Sequence, residues 1–154
     1  MAEQSDADRN GTPSTSRPAR SKTRAAALAL LFGVFGAHRF YLRGARDGLG
    51  WLSWLPALAG AWGLARAARY GLGDGVVRIA LPLLGVWIAL ATLQAVMIAL
   101  TDDARFDARW NASAAPGPAS GWGAVLVANA SLLLGTSALM GALAFTLQGW
   151  FGGQ

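Results

Sequence analysis

Few residues in this chain are equipped to do chemistry. His38 is the single histidine and there is no cysteine, which excludes a thiolate metal site, a disulfide framework and a cysteine nucleophile. Asp103 and Asp107 stand four apart and would share one face of a helix, a spacing compatible with paired carboxylates. Arg105 and Arg109 are interleaved with them, however, and a hard cation takes more oxygen ligands than Asp102, Asp103 and Asp107 offer. A solvated polar cap with internal ion pairs is the expectation there. The string Gly71-Leu72-Gly73-Asp74-Gly75 is glycine-rich, yet it has neither the spacing of a phosphate loop nor a strand before it, so it reads as a turn between helices. No Ser/His/Asp arrangement is visible. The expected site inventory is therefore no catalytic residue, no metal, no cofactor and no enzyme activity. His38 remains, and an ionisable residue in an apolar setting is a candidate proton relay. With no second histidine and no carboxylate between it and Asp47, a structural hydrogen bond that locks a turn is the better expectation.

The elements that position these residues follow from composition. The 154 residues are 54% hydrophobic and 14% charged, against roughly 25% charged in soluble domains. Residues 48–65 and 79–100 carry no charge, and no charged side chain follows Arg109; gaps of this size match membrane spans. The net charge of +5 comes from cations beside apolar runs, which suits membrane flanks and not a nucleic-acid surface. Residues 1–24, with Arg9, Arg17, Arg20, Lys22 and Arg24, read as a disordered basic tail, too polar and too long for a cleaved leader. Such cations set topology and are drawn to anionic lipid headgroups.

Four spans are expected, near 25–42, 48–66, 76–100 and 122–148. The first is short: Ala25 to Ala37 rises about 20 Å as helix, against a hydrocarbon layer of roughly 30 Å. It crosses only if His38 to Leu42 lie among headgroups, Arg39 snorkelling and the Phe40 and Tyr41 rings anchoring. Pro56 should kink the second span, near Trp51 and Trp54 as interfacial anchors. The third runs from Ile79 to Leu100 with Pro82 in its first turn. The fourth lies between Trp122 and Trp150, with Ser137 and Gly141 spaced for close helix approach. Residues 112–121 form a linker, and 122–154 an added, separable helix with a short end. Adding cations on alternate sides puts both termini in the cytoplasm.

The most distinctive string is GVFGAHRFYL at 33–42, followed by Gly44 and Gly48. It is similar to the signature of the TM2 domain, a membrane module of two helices joined by a short turn. Gly33, Phe35, Gly36, His38, Arg39, Phe40, Tyr41 and Leu42 match that signature residue by residue, while Arg43 stands where the family usually has glycine. The string DARFDARWN at 103–111 resembles the segment that ends the module in some bacterial members, which would extend the module over 25–111. The resemblance implies membrane residence and an interaction role, without a common chemistry. The expected molecule is an all-α integral membrane bundle of the bacterial inner membrane, with about four transmembrane helices including a TM2-type hairpin. It would act as a structural or protein-interaction module whose partners are the lipid bilayer and a membrane protein or second copy, with no nucleic acid. A small transporter or channel subunit is the alternative, relying on Thr92, Gln94, Asn129, Ser131, Thr136 and Ser137 at depth.

Overall fold

The computed structural model describes residues 18–112, 114 and 116–152; the tail expectations for residues 1–17 lie outside them. In chain order the helices are α1 (Lys22–Phe32), a 3-10 turn at Gly33–Phe35, α2 (Ala37–Arg43), α3 (Gly48–Leu52), α4 (Trp54–Tyr70), α5 (Val77–Leu100), α6 (Asp103–Trp110) and α7 (Trp122–Phe151). Among the described residues there is no strand, as the all-α expectation requires. Helices α5 and α7 are long and apolar enough to cross a membrane.

Helix α5 is the post on which the others lean. Helix α1 runs antiparallel along its C-terminal half: Ala26 packs with Ala99, and Gly33 sits against Ala91. At Gly36 the chain reverses. Helix α2 then climbs back beside α1, so that Leu42 joins Ala25 and Phe106 in one cluster and the Ser21 N–H donates to the Tyr41 hydroxyl at 3.1 Å. The expected single span over 25–42 is thus replaced by a hairpin that enters and leaves at the same end of α5. Gly36 is the reason, holding φ +72°, a left-handed conformation that ends one helix and starts another in a new direction. The hairpin tip reaches only to the level of Trp87, whose indole N–H donates to the Val34 carbonyl at 3.0 Å.

Helix α3 packs on α2 through Gly50 and Phe40, and α4 runs on along the N-terminal half of α5. Trp54 packs on Phe35 near the hairpin tip, with ring centroids 5.4 Å apart. Further along, Gly60 accepts Leu84 and Gly63 accepts Ala80. The expected kink is found one turn before Pro56, at Ser53, because proline cannot bond back to the Leu52 carbonyl and its ring presses on that group. The 71–75 string is a turn, as expected. Within it Asp74 accepts two hydrogen bonds from Arg66, at 2.8 and 2.9 Å, and also receives the Val76 and Val77 N–H groups. These bonds, Arg66 foremost, lower the Asp74 carboxyl to about 2. Pro82 is the sixth residue of α5 and not in its first turn, because the helix begins at Val77.

Helix α7 runs antiparallel to α5, with Arg78 at one end reaching the Gly149 carbonyl. Its buried stripe is Ala124, Ala128, Ser131, Gly135 and Ala142, and Gly85 of α5 meets Ala142 across the seam. Ser137 and Gly141 do not form that seam. Two positions from Gly135, Ser137 is rotated about 200° away and is exposed, and nothing approaches Gly141. Trp122 and Trp150 at the two ends are 81% and 78% exposed, the setting of interfacial anchors.

This register yields a paired test. A leucine at Gly135 would collide with Thr92, and overpacking costs about 1–3 kcal/mol, so Gly135→Leu is expected to lower the melting temperature of the detergent-solubilised chain. Gly141→Leu is expected to leave it unchanged. Equal effects at the two positions would reject the seam.

Candidate functional site

Every signature residue has a packing or bonding task in the hairpin. Gly33 allows α1 to approach Ala91, and Gly36 makes the reversal while lying against the Gly50 backbone. Phe40 covers Gly50 and meets the Trp51 ring at 5.5 Å, and Phe35 meets Trp54. Tyr41 fixes the start of α1 through Ser21, and Leu42 fills the cluster under α6. Gly44, at φ +86°, ends α2, so the glycine displaced by Arg43 still closes the helix one residue later.

His38 and Arg39 are placed differently from the expectation. His38 is 4% exposed and bonds across to α5, its Nε2 lying 2.7 Å from Oε1 of Gln94, so its hydrogen bond joins two helices and does not lock its own turn. Because the amide oxygen only accepts, Nε2 carries the proton in this arrangement. Arg39 does not simply snorkel: its Nε donates to Asp47 at 2.6 Å. Arg43 stands 3.8 Å from the other oxygen of the same carboxylate. The Arg39 hydrogen bond holds the Asp47 carboxyl below its usual range. Among the described residues two buried side-chain atoms have no protein partner, Nδ1 of His38 and Nη2 of Arg39.

The polar cap at α6 is also rearranged. Asp103 pairs with Lys22 at 2.6 Å and accepts the Ser120 hydroxyl and N–H, which together hold its carboxyl well below the usual range. Asp107 accepts from Asn111 at 2.6 Å and from the Gly117 N–H. The expected Asp–Arg pairs within α6 therefore do not form, because the carboxylates face α1 and the linker. Lys22 also donates to the Thr101 carbonyl at 2.7 Å, capping α5, and Arg20 donates to the Trp110 carbonyl. Those two tail cations are engaged within the protein. Asn111 exchanges hydrogen bonds with the Arg20 backbone, tying the hairpin's entry to the end of α6.

A cavity of about 270 Å³ lies between α2, the end of α5 and α6. His38, Arg39, Arg43, Arg105 and Arg109 supply its polar wall, and Leu42, Met97, Ile98, Phe106 and Trp110 its apolar one. Among the described residues there is no cluster of metal-ligating side chains. Gln94, Trp87, Asp47 and Gly50 complete the signature, and sequence reading assigned them no part in it. Gln94 did carry a signal, being the lone amide in an uncharged apolar run.

Fold and site together define a helical module of the membrane type: a doubled-back hairpin clamped on one long apolar helix. Residues 18–66 match the TM2 domain family model. No curated protein and no solved structure matches the chain.

The Arg39–Asp47 clamp is open to a double-mutant cycle. Arg39→Ala and Asp47→Ala are each expected to destabilise the chain, and the double variant by less than their sum. Because the folded Asp47 pKa is lowered, the coupling is present above the ordinary carboxylate value near 3.8 and fades as pH falls below it. Strict additivity at neutral pH would mean that Arg39 acts through headgroups alone.

Proposed function

We propose that the chain is an integral protein of the bacterial cytoplasmic membrane, acting as a structural or protein-interaction module without catalytic chemistry. Helices α3–α4, α5 and α7 cross, while the α1–α2 hairpin dips in and returns on one side. The observation that carries this reading is how polar groups at depth are used. Thr92 donates to Ile88 and Ala89 carbonyls, Ser131 to Val127, Thr146 to Ala142 and Asn129 to Val125. Each satisfies itself on its own helix, where a conducting path needs polar groups facing a shared opening. The seams are built from small residues and the outer faces from Leu, Ile, Met and Trp, as helices packed in lipid require.

Three crossings give an odd count and place the termini on opposite sides. The hairpin end carries Arg20, Lys22, Arg24, Arg39, Arg43, Arg46, Arg105 and Arg109, and the opposite end only Arg66, Arg69 and Arg78. The excess of cations marks the cytoplasmic side. This revises the expectation that both termini are cytoplasmic, because that count assumed that residues 25–42 cross.

Reporter fusions at positions 10, 72 and 154 are expected to report inside, outside and outside. A pattern with all three on one side would restore four spans. In sealed vesicles the full chain is expected to carry no proton flux above protein-free controls, and a flux abolished by His38→Asp would establish transport instead.

A further inference from the structure

The cavity between α2, α5 and α6 is lined by four arginines, Arg39, Arg43, Arg105 and Arg109, and by no carboxylate. Arg39 and Arg43 share Asp47. Arg105 and Arg109 are exposed and have no ion-pair partner among the described residues. Of the α6 carboxylates, Asp103 is engaged by Lys22 and Ser120 and Asp107 by Asn111 and Gly117, while Asp102, just before the helix, does not line the cavity. Trp110 draws the rim cations together, with Arg43 at 5.9 Å and Arg109 at 5.5 Å from its ring. Like charges gathered on one wall repel, and an anion among them relieves that repulsion. Behind that wall lie two buried polar atoms with no partner among the described residues, the Arg39 Nη2 and the His38 Nδ1, on residues that line the cavity.

We propose that this cavity binds the headgroup of an anionic phospholipid. Guanidinium forks match phosphate oxygens. Two further features favour a lipid over a free phosphate. The remaining wall is apolar, formed by residues such as Leu42, Met97 and Phe106, which a soluble anion would leave uncovered and an acyl-glycerol body would cover. The cavity also sits where α5 ends at Leu100 and the polar α6 begins, the headgroup level of the topology proposed above. The inference rests on that topology for its lipid source, while the anion chemistry rests on the cavity alone.

Native mass spectrometry of the full chain in detergent provides the test, with phosphatidylglycerol and phosphatidylcholine as probes. One phosphatidylglycerol is expected to be retained, with roughly tenfold or greater preference over phosphatidylcholine. The Arg105→Gln/Arg109→Gln variant is expected to lose that preference, and an Arg46→Gln/Arg69→Gln variant, with the same charge removed outside the cavity, to keep it. Circular dichroism checks that both variants remain helical. Equal retention of the two lipids, or equal loss in both variants, would overturn the site. Displacement by inorganic phosphate at the concentration that displaces phosphatidylglycerol would overturn the lipid source. Because binding in detergent does not depend on sidedness, a failure here with the reporter pattern intact rejects the site and leaves the topology standing.

Discussion

Backbone amides buried in an apolar layer must be hydrogen-bonded, and a run too short to cross that layer cannot escape the requirement by stopping halfway. The apolar run from Ala25 to Ala37 meets this constraint by reversing under cover of protein. Within the turn, the Gly36 N–H bonds to the Gly33 carbonyl and the Arg39 N–H to the Gly36 carbonyl. The Val34 carbonyl is taken by Trp87 from the neighbouring helix. Irregular backbone at depth is tolerated only where protein roofs it, and α5 supplies the roof. Much of the rest follows from that need. Gly33 and Ala91 must be small so that the turn can approach α5, Gly50 must be small so that Phe40 can close over it, and His38 must find Gln94 once it is drawn below the surface.

The same constraint explains why α5 is central. It lends its C-terminal half to the hairpin and its N-terminal half to α4, and it meets α7 along its length through Gly85, Thr92 and Gly135. The seams are made of alanine, glycine, serine and threonine because lipid provides little hydrophobic drive between helices, and close approach must supply the attraction instead. Charged side chains collect at the two rims. There Lys22 closes the C-terminus of α5, and Asp74 accepts the N–H groups of Val76 and Val77 at its N-terminus.

Much of this was legible in the residues. The helical class, the long helices α5 and α7, the break before Pro56 and the turn at 71–75 follow from run length, charge gaps and proline or glycine chemistry. So does the importance of residues 33–42. The shortness of the first apolar run was legible too, but not its resolution: a reversal and a snorkelling end satisfy the same hydropathy, and only the positive φ at Gly36 decides between them. The partners of the signature were hidden because they lie far along the chain, Gln94 being 56 residues from His38. The α7 seam was not legible for a related reason. Small residues recur on several faces of that helix, and which face is buried is set by α5. The carboxylates of α6 were assigned to their own helix because interhelical and linker contacts such as Lys22 and Ser120 leave no local pattern.

The central claim is that residues 22–43 double back and do not cross. Since the chain has no cysteine, spin labels can be placed at Ala19→Cys and Ala45→Cys without further substitution. Their separation can then be measured by pulsed electron–electron resonance in reconstituted bilayers. The hairpin predicts a single distance population below about 25 Å, because the entry and exit of the helical pair are adjacent, whereas a continuous crossing helix would hold the two positions about 39 Å apart. A dominant population near that longer distance would contradict the hairpin, and with it the crossing count.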